Sequence, residues 1–311
     1  MTFKTPFVAL ALALAALAAA PVRAQGTLKV MTTTEDLASI AREVGGALVA
    51  VDSMARGFQD PHYVEPKPSF ILKLMKADLL VAVGRELEIG WLPPLVTQSR
   101  NAKIQAGGPG YLDASLQAQI LEVPTGAITR AMGDVHPQGN PHYWLDPENG
   151  KRIAAAIAGK LSELRPNDRA TFQAQLADFD ARLDAGLKRW AAAMAPYQGT
   201  KIVTYHRSFP NFAERFGLEI VGYVEPRPGI PPTPQHTLDL INEMKRQGIK
   251  LILVEPYFDL KTPNAIARET GAQVLVMPPS VGGVEEAADY FKLFDYDVAL
   301  VADAIRKSGA K

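Results

Sequence analysis

Short apolar runs alternate with longer amphipathic stretches in two blocks along this chain, and one long helical pattern separates the blocks. This alternation restricts the fold more than any other feature. In the first block, residues 28–33 and 48–51 predict strands, and Leu37, Ile40, Ala41 and Val44 mark one face of a helix between them. Residues 68–75, with Pro68 in the first turn, predict a helix, and the unbroken apolar run 79–83 predicts a buried parallel strand. Pro and Gly thicken from 104 to 147, which predicts loops. Helices follow over 149–164 and 168–194, the second with Phe172, Leu176, Phe179, Leu183 and Leu187 on one face. The second block predicts strands at 201–205, 219–224, 251–254 and 273–276, with helices at 211–216, 237–247, 263–270 and 286–305. The fold class is therefore α/β: two βα domains with parallel sheets, joined by a long rigid connecting helix, with ligands held in the cleft between them. The expected boundaries are a first lobe over 25–165, a connecting helix over 166–197 and a second lobe over 198–311.

The N-terminus sets the compartment. Lys4 precedes an uninterrupted apolar run of 14 residues, 7–20, too short for the roughly 20 that span a bilayer. Val22 and Ala24 then stand where a signal peptidase accepts small residues, so residues 1–24 form a signal peptide and the mature chain begins at Gln25. The chain has no cysteine, which leaves no disulfide and no thiol to carry a lipid anchor. A metal site here must be built from His and carboxylates. The full chain carries 33 basic and 33 acidic side chains; removing Lys4 and Arg23 with the leader leaves a net charge of −2. That balance gives no basic face for nucleic acid.

Three of the five histidines occupy telling positions. His62 and His142 both lie in a Pro-His-Tyr tripeptide, and His206 closes a predicted strand. A preceding proline fixes local backbone geometry and reduces the entropy lost when a loop closes on an ion. Imidazoles suit zinc, copper, nickel or iron. Scattered over 145 positions, three histidines could equally be surface or hydrogen-bonded residues.

The segments Asp60-Pro61-His62-Tyr63 and Pro141-His142-Tyr143-Trp144-Leu145-Asp146-Pro147 resemble the signature of the zinc/manganese class of ABC-transporter substrate-binding proteins. His206, before Phe209 and Phe212, is similar to that family's third ligand position, and Val254-Glu255-Pro256 resembles its last βαβ segment. The resemblance implies a periplasmic metal-binding protein that delivers its ion to an ABC permease in the inner membrane, acting as a monomer. It implies His62, His142 and His206 as metal ligands. Relatives often add an Asp after the strand corresponding to 273–276, where this chain has Met277-Pro278-Pro279-Ser280. Water, Glu255 or Asp289 would then complete the coordination, with Glu255 the first choice among the acids. Three imidazoles favour zinc over manganese, which prefers oxygen ligands.

The remaining candidates are weighed in the same way. Asp146 and Glu65 could orient imidazoles or simply face solvent. Tyr143 and Trp144 could wall the site. His136, beside Asp134, is expected as a solvated loop residue, with a thin version of the family's metal-gathering His loop as the alternative, and His236 as part of a turn or of domain packing. The rival function is a secreted zinc-dependent hydrolase with three His ligands, an open coordination position and Glu255 or Glu65 as base. A His-Glu-x-x-His helix, the usual vehicle for that chemistry, is absent from the sequence. A surface adhesin of the same fold ranks last, since the sequence offers no anchoring signal.

Overall fold

The computed structural model describes residues 26–126, 129, 132–133 and 135–310; the expected leader and Asp134 lie outside the described residues. Strands β1 (Leu28–Thr32), β2 (Val49–Ser53), β3 (Leu79–Ala82) and β4 (Tyr111–Asp113) form one sheet in the order β2-β1-β3-β4. Strands β5 (Lys201–Thr204), β6 (Glu219–Tyr223), β7 (Leu251–Val254) and β8 (Gln273–Val276) form a second in the order β6-β5-β7-β8. Every pairing in both sheets is parallel. The chain reverses direction across each sheet at β1/β3 and β5/β7, and the carboxyl ends flanking such a reversal make a natural binding crevice. Both inner strands β3 and β7 are fully buried, as their continuous apolar sequence requires.

Helices α1 (Glu35–Gly45), α2 (Pro68–Leu74), α3 (Leu92–Ser99) and α4 (Pro147–Leu164) belong to the first half. The long helix α5 (Arg169–Met194) follows, then α6 (Pro210–Phe216), α7 (Pro234–Gln247), α8 (Lys261–Thr270) and α9 (Tyr290–Ser308). Among the described residues, no helix is long and apolar enough to cross a membrane. The stretch 104–147, expected as loops, holds the short edge strand β4, whose three half-buried residues carry too little pattern to be seen. Helix α3 also escaped prediction because Pro93 and Pro94 read as breakers. Both sit in its first turn, where a missing N–H removes no helical bond.

Helix α5 is more than a strut. Phe172, Phe179, Leu183, Trp190 and Met194 form a buried stripe along it, and one apolar core runs from Val30 and Leu79 of the first sheet through α4, α5 and α9 to Ile202 and Leu253 of the second. Gly186 is required beneath Trp190, since a Cβ there would lie 2.7 Å from the indole. Helix α9, last in sequence, returns to the first half: the Tyr290 backbone N–H donates to Ser39 Oγ at 3.0 Å, and its hydroxyl donates to the Trp144 carbonyl at 2.6 Å. Trp190 Nε1 donates to Asp295 Oδ1 at 2.7 Å and fixes α9 to α5. A continuous helix packed in this way resists bending, which limits how far the two sheets can swing relative to one another.

Because one core serves both sheets, Phe179→Ala is expected to lower stability by about 3–5 kcal/mol and to leave a single unfolding transition. Denaturant titration followed by fluorescence and circular dichroism checks this. Two separated transitions would show independent lobes.

Candidate metal centre

The two Pro-His-Tyr tripeptides fold alike because each is preceded by a residue with a short side-chain oxygen. Asp60 Oδ1 accepts both the His62 backbone N–H at 2.9 Å and His62 Nδ1–H at 2.7 Å. Asn140 Oδ1 does the same for His142, at 2.9 Å in each case. The intervening proline holds the turn, and the Asx side chain closes it onto the ring. His206 is aimed by sheet register instead. Thr204 pairs with Tyr223 on one side and Leu253 on the other. Two residues further along, His206 therefore stands between Glu225 and Glu255. Glu225 Oε2 accepts from His206 Nδ1 at 2.6 Å, and Glu225 Oε1 accepts the Gly229 N–H at 3.0 Å.

These oxygens can only accept, so each of the three imidazoles carries a proton on Nδ1 and, in its neutral form, leaves Nε2 bare. Among the described residues, His62, His142 and His206 bring donor atoms within 4.8 Å of one another. Their ring centroids lie 5.2, 5.4 and 5.5 Å apart. His142 and His206 are buried and His62 half-buried, and His142 Nε2 has no hydrogen-bond partner. An apolar-walled cluster of facing lone pairs is costly unless a cation fills it. Burial, reinforced by the other imidazoles, holds His142 well below the usual histidine range, so it stays neutral. Burial alone would pull His206 down, but the Glu225 hydrogen bond and the Glu255 charge raise it above its usual value.

A fourth ring stands beside these three. His136 Nε2 lies 3.2 Å from His62 Nε2, with centroids 5.3 Å apart. The expected solvated position is therefore corrected: His136 is half-buried and walls two cavities at once. One, of about 340 Å³, is also lined by His142, His206 and Arg207; the other, of about 620 Å³, by His62, Tyr63 and Trp91.

The carboxylates are distributed differently from the sequence expectation. Glu255 is completely buried, burial pushes it up to about 7 against the pull of His206, and neither of its oxygens finds a hydrogen-bond partner. It is not one of the side chains whose donor atoms converge within 4.8 Å. Asp146 does not orient an imidazole: it caps α4 through the Glu148 N–H and clamps Arg215 at 2.6 and 2.8 Å. Glu65 is exposed, and Asp289 caps α9 by accepting the Lys292 N–H. The segment after β8 turns away from ligation. Ser280 Oγ and the Val281 N–H both donate to the buried Asp36, and the Pro279 carbonyl accepts from Trp144 Nε1. Trp144 lies 5.3 Å from the His142 ring and walls the cluster as expected, while the Tyr143 hydroxyl donates to the Val83 carbonyl. His236 sits in the first turn of α7, its Nε2 bonded to the Tyr223 carbonyl, in the packing role foreseen.

Two parallel-sheet lobes that gather imidazoles over their facing ends define a two-lobed metal-binding protein. Residues 30–304 match the family model described as zinc-uptake complex component A, periplasmic, and the chain belongs to that family. It is 25% identical over 266 residues to the high-affinity zinc uptake system protein ZnuA of Yersinia pestis, covering 82% of this chain and 84% of that one. It is also 25% identical over 289 residues to the manganese ABC transporter substrate-binding lipoprotein PsaA of Streptococcus mitis, covering 90% of each. A crystal structure of ZnuA superposes with a TM-score of 0.75 at 26% identity, over 89% of this chain and 99% of that one.

The hydrogen-bond pattern makes a prediction that needs no metal. Nitrogen NMR of the metal-free protein at pH 8 is expected to show the Nδ1–H tautomer for His142 and His206. Protonated Nε2 at both rings would contradict the geometry.

Proposed function

We propose that this protein captures a zinc ion on His62, His142 and His206 in the periplasm and hands it to the permease of an ABC importer. The observation that carries this reading is the convergence of three imidazoles, with donor atoms within 4.8 Å of one another, whose Nδ1 atoms are all engaged and whose Nε2 atoms remain for a metal. That is how zinc-ligating histidines are held by their outer partners. A nitrogen-rich site favours zinc over manganese, although relatives of both names exist.

For the fourth position we place His136, which like Glu255 lies outside the group converging within 4.8 Å but stands beside His62, ahead of Glu255 and water. Zinc bonds to nitrogen at about 2.0 Å, so the edge of its tetrahedron is about 3.3 Å. The 3.2 Å between the Nε2 atoms of His62 and His136 matches that edge. Four imidazoles leave no open position for a reacting water, which favours a carrier over the zinc-hydrolase reading. Glu255 then serves as a buried acid behind His206. The leader expected over 1–24 agrees with an exported carrier. Release to the permease requires the lobes to part, since the ligands come from both.

Zinc titration against a competing chelator tests the assignment. Alanine at His62, His142 or His206 is expected to weaken binding by more than roughly 100-fold, beyond the 10–100-fold that loss of an outer partner produces. His136→Ala is expected to fall between the two, and His236→Ala to change little. Zinc binding unaffected by His206→Ala would refute the ligand set, and turnover of ester or peptide substrates by the zinc-loaded protein would favour the hydrolase.

A further inference from the structure

One carboxylate beside the cluster is bonded to more of its surroundings than its position on a loop explains. Glu122 belongs to the first half of the chain, in the segment after β4. Its Oε2 accepts from Asn140 Nδ2 at 2.8 Å, and its Oε1 accepts from Arg207 Nη1 at 2.8 Å and from the Tyr223 hydroxyl at 3.2 Å. Arg207 and Tyr223 belong to the second half, and the guanidinium lies 4.0 Å from the centre of the Tyr223 ring. Glu122 also holds a backbone φ of +52°, a left-handed conformation that a non-glycine residue avoids unless its surroundings impose it.

The three donors lead directly to the imidazoles. Asn140 is the residue that orients His142. Its Nδ2 has two acceptors, Glu122 and the Arg207 carbonyl at 2.8 Å, and this forces Oδ1 toward the His142 ring. Arg207 follows His206 in the chain. Tyr223 stands two residues before Glu225, which orients His206. Burial raises the Tyr223 phenol above its usual range, so it remains a donor at any physiological pH. One carboxylate therefore ties the orientation of a histidine from the first lobe to the segments that flank a histidine from the second.

We infer that Glu122 is a positioning residue that latches the two lobes closed over the bound ion and so sets how fast the ion leaves. The inference rests on the zinc reading above. The side chain is 31% exposed, so the latch is screened by salt and its effect is mainly on the rate of opening. Zinc enters while the latch is open, so loss of the latch does not slow association.

Stopped-flow zinc association and dissociation, with a fluorescent chelator as acceptor, tests the latch. Glu122→Ala is expected to speed dissociation about tenfold, the lower end of an outer-partner loss, with association not slowed. Tyr223→Phe keeps the ring against Arg207 and removes one donor, so it is expected to speed dissociation by a smaller factor. Raising salt should speed release from the unaltered protein and leave the Glu122→Ala rate nearly constant. Unchanged dissociation in both variants, a loss expressed only in association, or equal salt sensitivity with and without Glu122 would each overturn the latch. Failure of the unaltered protein to bind zinc would remove the reading beneath it as well.

Discussion

Each imidazole of the cluster gives its Nδ1 proton to a fixed side-chain oxygen, and the rest of the site depends on that bond. Asp60, Asn140 and Glu225 do for three rings what the free histidine cannot do for itself: they choose the tautomer, stop rotation about the ring axis and leave Nε2 bare. The partners are not chemically equal. A carboxylate behind His206 raises the basicity of that ring, whereas the neutral amide behind the wholly buried His142 adds no charge where desolvation would be most severe. The cluster is thus prepared to receive a cation without rearranging its own side chains, which lowers the cost of binding.

Preorganised rings are useful only if the elements carrying them keep their distance, and here the core supplies that constraint. Helix α5 lies between the sheets with its apolar stripe inside, and α9 crosses back to bond with Ser39 and Trp144 of the first half. Closer to the site, the loop that leads to His62 lies directly on the turn after β8. A Cβ on Gly57 would come within 2.0 Å of the Val281 carbonyl oxygen, so only glycine permits that approach. Asp36 holds the same turn through Ser280 and Val281, and burial pushes its carboxyl up to about 7. The segment after β8, where the family resemblance implies an Asp ligand, is here part of the joint between the lobes. The nitrogen-rich character of the site follows from that exchange.

Much of this was legible in the residues. Strands β7 and β8 were bounded correctly because a short apolar run between a preceding Gly and a following Pro leaves little freedom, and the stripe on α5 was visible in its spacing. His206 was legible as the close of a predicted strand, and His62 and His142 through the repeated Pro-His-Tyr. The Asx residue two places before each of the latter two was equally visible, and Asx chemistry could have identified the orienting partners Asp60 and Asn140 where proximity suggested Asp146 and Glu65. Glu225 could not be found in that way. It stands 19 positions from His206 and meets it only because β5 and β6 lie side by side in register. His136 was misjudged for a related reason: a lone histidine in a Gly- and Pro-rich loop gives no periodic signal, and its place beside His62 is fixed by chain path alone.

The central claim is that one zinc ion is held by imidazole nitrogens contributed from both lobes. Zinc K-edge X-ray absorption on the zinc-loaded mature protein measures it directly. The account predicts four ligands at about 2.0 Å, all nitrogen, with the multiple-scattering signature of histidine rings. A first shell dominated by carboxylate oxygen, or expanded to six ligands, would contradict it.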